Sequence, residues 1–429
     1  MTESYDLAVV GAGPAGSTAA LAALHADPSL RVLLVDRADF PRDKSCGDGI
    51  APHCFPKLAS IGVTGVEAGW TPLSRLELAR GERSVARTMA RPVYVIPREV
   101  LDARLVERAV DRGATLQRQK IVSVETVSNG TVSNETISNG TISNGTVPSG
   151  TVSTQTGSNR TVSYENILNG TISARIVVGA DGAHSVVRTA LGLPQGRRAL
   201  AIRGYAPTPP DRRGTQVIRY GERRQPAYAW AFDRGDGLCN VGYGELLPAP
   251  GEGEPPSRAL LLDQLDRLLP GSVDAGEHWK GHHLPLSGWR WEQPDGPVLL
   301  AGDAAGLINP MTGEGIYYAI ATGIAAGRAA VEALRTGADA GELHRRAVRA
   351  QLGRHLKHTW TAARLAEHPF IVDGGIRVAR RDQRVFDELV ELGLGDGRIS
   401  GRLVRGLVGG VAGKGFRRVT APRGPAAGR

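Results

Sequence analysis

The chain lacks several features that would indicate particular classes of protein. Only 3 of its 429 residues are cysteines, which is too few for a disulfide framework, and none shows the paired spacing of a zinc site, so we expect no metal. The first residues contain no basic segment followed by an apolar core, so we expect no signal peptide. No uncharged apolar run reaches about 18 residues, so we expect no transmembrane helix. These features favour a protein of the reducing cytoplasm.

The chain also has no block of like charge, although its formal net charge is +9. The scattered lysines and arginines form no basic stripe, so we expect no nucleic-acid partner. A solvated basic surface is the simplest interpretation. An anionic cofactor, or the anionic face of a membrane, is the alternative.

The hydrophobic pattern indicates an α/β protein. The segment "YDLAVVGAGPAGSTAALAALHADPSLRVLLVDR" has the pattern of a strand, a glycine turn, a helix and a second strand. Apolar strands joined by a helix are typical of a buried parallel sheet. A β-rich stretch follows from about residue 199 to 285, and a helical pattern begins near residue 343.

Pentads such as "TVSNG" and "TISNG" repeat between about residues 126 and 171. Asn-Gly favours hairpin turns, and Val, Ile and Thr favour strands. Because the pentads offer little to bury, we expect an expanded hairpin tip or a flexible loop, with a small stacked β extension as the alternative. The repeat is therefore predicted to be dispensable.

The stretch "GAGPAG" supplies Gly11, Gly13 and Gly16 in the G-x-G-x-x-G spacing. These glycines permit a sharp turn, close approach to a pyrophosphate, and close packing of helix on strand. The next strand ends at Asp36, where a carboxylate can bind ribose hydroxyls. Together they predict a dinucleotide site.

Two later motifs extend this pattern. In "GADGAHSVVR", Asp181 follows a strand and precedes a helix, and Asp303 ends the buried strand of "VLLAGDAAG". The turn at Gly313 and Gly315 opens a helix at Ile316, whose N-terminus would stabilise negative charge on a reduced flavin ring. Each motif alone could be a structural turn.

The order "GAGPAG", "ADG", "AGDAAGLINPMTGEGI" resembles that of the flavoprotein hydroxylase superfamily. Within it, "FPRDKSCGDGI" and "AYAWAFDRGDGLCNVGYG" are most similar to the geranylgeranyl reductase family, which includes bacterial menaquinone reductases. The resemblance implies a Rossmann-like FAD-binding domain of the glutathione reductase and p-hydroxybenzoate hydroxylase type, an inserted β-sheet substrate domain and a helical C-terminal part. The implied boundaries are 1–72, 95–190 and 295–340 for the FAD domain, 73–94 and 191–294 for the substrate domain, 126–173 for the repeat insert and 341–429 for the helical part.

The resemblance also implies which residues bind FAD. They are Gly11, Gly13, Ala15, Gly16, Asp36, Arg37, Cys46, Gly47, Arg98, Val122, Asp181, Asp303, Gly313, Gly315 and Ile316. The substrate-side motif of the family is Tyr-x-Trp-x-Phe-Pro, and here it is Tyr228, Trp230 and Phe232 followed by Asp233, without the proline. Alternation places the three aromatics on one face of a strand, as an apolar wall for a prenyl chain or as part of the sheet's core.

Cys46 lies in "FPRDKSCGDGI", and no partner residue supports a metal or disulfide role. In the family this cysteine lies in the loop that covers the flavin, so Cys46 is the predicted catalytic residue. Arg42 and Lys44 beside it could lower its pKa. Cys54 and Cys239 are expected to be packing residues.

Two activities are compatible with these motifs. The first is reduction of a C=C bond in an isoprenoid or prenylated substrate by hydride from reduced flavin. The second is a monooxygenase reaction that hydroxylates or epoxidises an aromatic or prenylated substrate. Flavin-dependent halogenases are a third relative, but their Gly-Trp-x-Trp-x-Ile-Pro motif is absent from the sequence.

The partners are expected to match this chemistry. The substrate would be a hydrophobic small molecule or lipid. Electrons would come from NAD(P)H or from a partner protein such as a reductase or a ferredoxin, since the sequence has no second dinucleotide fingerprint. Peripheral membrane contact is a further possibility, with the segment 397–418, which mixes apolar residues with Arg and Lys, as the candidate surface.

Overall fold

The computed structural model describes residues 4–126, 160–165 and 170–412. Fifteen strands lie in these residues: β1 (Ser4–Val10), β2 (Val32–Asp36), β3 (Gly49–Ile50), β4 (Leu73–Arg80), β5 (Arg83–Val95), β6 (Thr115–Arg118), β7 (Lys120–Thr126), β8 (Arg160–Glu165), β9 (Gly170–Gly179), β10 (Arg198–Pro207), β11 (Thr215–Tyr220), β12 (Tyr228–Asp233), β13 (Leu238–Leu246), β14 (Glu277–Pro285) and β15 (Val298–Leu300). The α-helices in the same residues are α1 (Pro14–Ala26), α2 (Cys54–Ala59), α3 (Arg98–Asp111), α4 (Val186–Ala190), α5 (Arg258–Leu268), α6 (Ile316–Thr336), α7 (Ala340–Ala366), α8 (Pro369–Arg381), α9 (Gln383–Leu394) and α10 (Gly401–Ala412).

The first sheet carries the glycine motif. Its strands run in the order β6-β2-β1-β9-β8-β7, and β15 also pairs with β9. The pairs among β6, β2, β1, β9 and β15 are parallel, whereas β7, β8 and β9 pair antiparallel. The apolar strands pack beneath α1 and α6. The absence of a side chain at Gly323 allows these two helices to approach closely, since a Cβ there would lie only 2.2 Å from the Ala15 carbonyl oxygen. The predicted Rossmann-like architecture is confirmed.

The second sheet has eight strands in the order β14-β10-β13-β12-β11-β4-β5-β3. Neighbours are antiparallel except β4 and β11, which are parallel. Helix α5 covers part of one face through Leu261 and Leu265, which are buried against β10, β12 and β13. Aromatic residues alternate with alanine along β12, which places the three rings together on one face.

The C-terminal helices pack on β4 and β5. Ile376 of α8 and Phe386 of α9 join a buried cluster with residues of these two strands. The Arg80 guanidinium donates a 3.0 Å hydrogen bond to Asp373, and Arg91 and His53 both contact the Glu391 carboxylate. These bonds hold α8 and α9 against β4, β5 and the residue that precedes α2.

The predicted repeat lies mostly outside the described residues. Its described part, β8, is antiparallel to β7 and pairs Arg160 with Thr126. None of the helices in the described ranges is long and apolar enough to cross a membrane.

Candidate active site

The glycine turn between β1 and α1 requires glycine at two of its positions. Gly11 has φ +98°, and a Cβ there would lie 2.3 Å from the Ala180 carbonyl oxygen. A Cβ at Gly16 would lie 1.7 Å from the Gly11 oxygen. Asp36 fixes the turn from β2, because its Oδ2 accepts a 2.9 Å hydrogen bond from the Ala12 N–H. The turn therefore exposes backbone at the start of α1, as a phosphate site needs.

Two arginines meet on the open side of this turn. A Cβ at Gly13 would lie 3.7 Å from Nη2 of both Arg42 and Arg98. Arg98 is buried and donates two 2.7 Å hydrogen bonds to Asp102, which also lies 3.3 Å from Arg42. Burial works against the charge of Arg98, but Asp102 outweighs it and holds the arginine's pKa above its ordinary value. Two fixed positive charges therefore face the N-terminus of α1.

Asp303 follows β15 and lies beside the same space. Lys44 lies 3.6 Å from its carboxylate. Gly313 has φ +70°, and the turn around it leads into α6 at Ile316, where the predicted helix begins. Glu314 caps this helix by accepting a 2.8 Å hydrogen bond from the Tyr317 N–H. Burial raises the pKa of Glu314 to about 7, and the sequence analysis did not identify this residue.

The three predicted substrate-side aromatics form a continuous wall. The ring centroids of Tyr228 and Trp230 are 6.0 Å apart, and those of Trp230 and Phe232 are 6.4 Å apart. The Tyr228 hydroxyl donates to the Thr312 carbonyl oxygen. A Cβ at Gly47 would lie 3.5 Å from the Phe232 ring, so the loop that contains Cys46 packs against this wall.

A buried polar network connects that loop to the wall. Asp48 is fully buried with φ +59°, and its Oδ2 accepts hydrogen bonds from the Tyr205 hydroxyl at 2.6 Å and the Asn240 amide at 2.8 Å. The same amide donates to the Cys46 carbonyl oxygen at 2.8 Å, and the Asn240 side-chain oxygen accepts from Trp230 Nε1 at 2.8 Å. Burial raises the pKa of Asp48 from 3.8 to about 6. In the sequence, the only indication of this network is the charged residue Asp48 within the glycine-rich stretch "CGDG".

The Cys46 thiol is half-buried, and like the other two cysteines it forms no disulfide. Burial raises its pKa, and the nearby positive charge of Arg98 opposes that shift in part. Arg42 and Lys44, which could have lowered this pKa, instead pair with Asp102 and Asp303. Cys54 and Cys239 are buried, as expected of packing residues.

A cavity of about 770 Å³ joins these features. It begins at the glycine turn, passes Cys46 and the aromatic wall, and continues between the C-terminal helices. The predicted site residues that line it are Gly13, Ala15, Cys46, Gly47, Arg98, Asp303, Gly313, Gly315, Ile316, Tyr228, Trp230 and Phe232. The predicted site residues outside its lining are Gly11, Gly16, Asp36, Arg37, Val122 and Asp181.

The residues outside the lining differ in their surroundings. Gly11, Gly16 and Asp36 shape the glycine turn, and Arg37 is exposed beside it. Asp181 accepts a 2.7 Å hydrogen bond from the Val186 N–H and so stabilises the start of α4. Val122 is exposed on β7, and none of the contacts described above places it at the cavity.

The residues of the cradle fit FAD. The glycine turn and two arginines suit a pyrophosphate, and Asp36 and Asp303 suit ribose and ribityl hydroxyls. Among the residues that the structure describes, the buried atoms Asp181 Oδ1 and His282 Nε2 have no hydrogen-bond partner, and His282 lines the cavity. Polar atoms of this kind usually have a partner when a site is complete.

Comparison with known proteins agrees with this geometry. The family described as FAD binding domain matches residues 4–219. Menaquinone reductase from Mycolicibacterium smegmatis is 30% identical over 360 residues, which cover 79% of this chain and 78% of that protein. Digeranylgeranylglycerophospholipid reductase 1 from Methanopyrus kandleri is 30% identical over 345 residues, which cover 77% of this chain and 81% of that protein.

A solved structure supports the fold. The crystal structure of a geranylgeranyl bacteriochlorophyll reductase-like protein from Thermoplasma acidophilum has a TM-score of 0.71, with 19% identity and coverage of 96% of both chains. The FAD cradle, the aromatic wall and these similarities all indicate the same family. The chain belongs to the geranylgeranyl reductase family of FAD-dependent oxidoreductases.

Proposed function

We propose that this enzyme reduces C=C bonds of an isoprenoid lipid with electrons held by FAD. The observation that carries the proposal is the cavity, which runs without interruption from the FAD cradle along Tyr228, Trp230 and Phe232 to the C-terminal helices. Most of its lining is apolar, as a prenyl chain requires. The reductases that share 30% of their residues with the chain bear names of isoprenoid-containing substrates, namely menaquinone and digeranylgeranylglycerophospholipid.

The predicted FAD-binding residues divide the work of holding the cofactor. The turn at Gly11 and Gly13, with Arg42 and Arg98, would hold the pyrophosphate, while Asp36 and Asp303 would bind the sugar and ribityl hydroxyls. FAD bound in this way and reduced would supply the hydride for the double bond. The protein must then hold the substrate carbon in place, exclude water and deliver a proton.

Cys46 is the proposed source of that proton. Because burial raises the pKa of Cys46, the thiol keeps its proton at neutral pH and can pass it to the second carbon of the double bond. The thiolate left behind faces the positive charge of Arg98 and regains a proton from solvent. The Asn240 amide holds the loop through the Cys46 carbonyl oxygen, which fixes the position of the thiol.

The aromatic wall would orient the prenyl chain. Trp230 is buried and fixed by its hydrogen bond to Asn240, and Tyr228 is fixed by its bond to Thr312. Rings held in this way present a rigid apolar surface at small entropic cost. The family's proline is replaced by Asp233, whose carboxylate accepts hydrogen bonds from Thr208 and the Gly214 N–H at the end of the strand.

We further propose that the electron donor is NAD(P)H bound transiently, or a separate reductase or ferredoxin. The sequence contains one dinucleotide fingerprint, which FAD would occupy. We also propose a cytoplasmic protein that contacts the membrane peripherally, because its substrate would reside in a bilayer.

Product mass tests the proposed reaction. The enzyme is supplied with a reduced donor and a geranylgeranylated lipid, and we expect the product to gain two hydrogens for each bond reduced. A product that instead gains one oxygen atom would establish the monooxygenase alternative.

Cys46→Ala tests the proton source. We expect it to keep FAD, because the phosphate contacts lie elsewhere, and to lower product formation about ten-fold or more. Reduction of the flavin by the donor should change little. Cys239→Ala, at a buried cysteine outside the cavity lining, is the matched control and should retain turnover. Normal turnover of Cys46→Ala would leave Cys46 as a spacer.

A further inference from the structure

The far end of the cavity opens through apolar side chains that are also exposed. Leu365 of α7, Phe370 of α8, and Val404 and Val408 of α10 all line the cavity. Their exposed fractions are 43%, 51%, 48% and 64%. A side chain that both lines a cavity and faces solvent lies at an opening, and these four residues are called the cavity mouth below.

A further exposed aromatic residue lies beside α7. Trp289 is 44% exposed and packs edge-on against Trp360, which precedes Leu365 by five residues and so lies about 7.5 Å away along the helix axis and about 140° around it. With the cavity mouth, Trp289 accounts for five of the nine large hydrophobic residues that the described part of the chain exposes. The four residues of the cavity mouth share one opening, and exposed apolar residues grouped in this way mark an interaction site.

Basic residues lie beside the two tryptophans and on α10, and one of them, Arg364, also contacts Glu367 at 3.2 Å. Lys357 Nζ lies 5.7 Å from the Trp289 ring centroid, and the Arg364 guanidinium lies 5.4 Å from that of Trp360. Arg402 and Arg405 are the charged residues of α10, and Arg405 is exposed beside Val404. Aromatic rings, aliphatic side chains and basic groups together are typical of a protein surface at a lipid–water interface.

We propose that the cavity mouth docks on an anionic lipid bilayer, so that an isoprenoid chain passes from the bilayer into the cavity without crossing water. The choice of a bilayer over a protein partner rests on the proposed function, whereas the exposed apolar side chains of the mouth and the basic residues near them do not. A bilayer fits better than a protein partner, because a partner seated on the four residues would close the opening that the substrate needs. The basic residues complement anionic lipid headgroups.

Flotation with vesicles tests the contact using the full chain with FAD bound. The triple variant Phe370→Ser, Val404→Ser and Val408→Ser removes the mouth's apolar surface. Val110→Ser, Leu116→Ser and Leu238→Ser form the matched control, since their side chains are 42%, 40% and 37% exposed away from the cavity lining. Vesicles contain equal parts of phosphatidylcholine and phosphatidylglycerol, or phosphatidylcholine alone.

The wild type and the control should float with the anionic vesicles at low salt. The affinity of the mouth variant for these vesicles should be lower by about ten-fold or more. Equal binding of all three proteins would overturn the proposal, as would equal losses in both variants. A wild type that fails to float but forms a dimer broken by the mouth substitutions would assign the surface to a second copy of the chain. FAD content checks folding, and Val408→Asp alone tests the same surface if the triple variant does not fold.

Activity separates this proposal from the proposed function. The mouth variant should lose turnover of a long-chain substrate embedded in vesicles by a larger factor than turnover of a short, water-soluble isoprenoid. If the wild type reduces neither substrate, the proposed reaction fails while the flotation result still decides the contact. If the mouth variant retains full turnover in vesicles, the substrate enters by another route.

Discussion

Asp48 provides a sharp test of the buried network at the site. Its carboxylate is fully buried, with one oxygen bonded to Tyr205 and Asn240 and the other, Oδ1, without a partner in the part of the chain that the structure describes. Asp48→Asn removes the charge and keeps a side chain that tolerates the left-handed backbone at this position. Asp48→Gly also accepts that backbone and removes the side chain altogether.

The size of the effect follows from the shifted pKa. Burial raises the pKa of Asp48 from 3.8 to about 6, a difference of about 2 units, and each unit is worth about 1.4 kcal/mol, so the effect is about 3 kcal/mol. The folded chain holds this proton more tightly than the unfolded chain does. The contribution therefore favours folding fully below pH 3.8 and is lost as the pH rises through about 6.

Both variants should consequently become more stable relative to the wild type as the pH rises. We expect the difference between variant and wild type to move by about 2–3 kcal/mol between pH 4 and pH 7, because most of the titration of Asp48 lies in this interval and asparagine and glycine do not titrate. Other titrating groups cancel in this difference.

Denaturant unfolding of wild type, Asp48→Asn and Asp48→Gly at several pH values measures the shift. The two variants should differ in absolute stability, since only asparagine can keep hydrogen bonds to Tyr205 and Asn240, but should share the same trend with pH. A difference that stays constant from pH 4 to pH 7 would show that Asp48 is not held in a destabilised charged state.

Three other predictions concern the cradle and the repeat. Gly323→Ala should lower the free energy of unfolding by about 1–3 kcal/mol or more and lower FAD retention, because the added Cβ would meet the Ala15 carbonyl oxygen. Gly353→Ala in α7 is the control, since the nearest neighbour of its added Cβ would be 3.8 Å away, and it should be neutral or stabilising in a thermal melt. Asp303→Ala should lower the FAD bound per protein, and full occupancy measured by absorbance would remove Asp303 from the site. Replacing residues 127–159 by Asn-Gly should preserve FAD binding and turnover, since Thr126 and Arg160 are paired across β7 and β8; loss of turnover with FAD retained would assign the repeat to the substrate site.

The register of β8 sets the limit of that replacement. Arg160–Glu165 pairs with both β7 and β9, so a deletion that extended to residue 169 would remove a strand from the sheet. The sequence placed this stretch within the repeat because its composition is uniform. Only the strand pairing distinguishes the part that belongs to the sheet.

The sequence by itself determined the elements that depend on local chemistry. The glycine spacing predicted the turn at Gly11 and Gly16, where neighbouring backbone leaves no room for a side chain. The strand end at Asp36, the helix that begins at Ile316 and the shared face of the β12 aromatics also follow from short-range patterns. The motif order then indicated the family.

The tertiary structure alone decided the polar network and the charge state of the site. Asn240 reaches Cys46 and Asp48 from 194 and 192 residues away, a contact that no local pattern encodes. The neighbours of Cys46 in sequence suggested a lowered pKa, yet burial raises it, because desolvation depends on what the fold packs around the thiol and not on adjacent residues. The cavity is a further example. Its far end is formed by the C-terminal helices, which are distant in sequence from the glycine turn and lie next to the FAD cradle only in the folded protein.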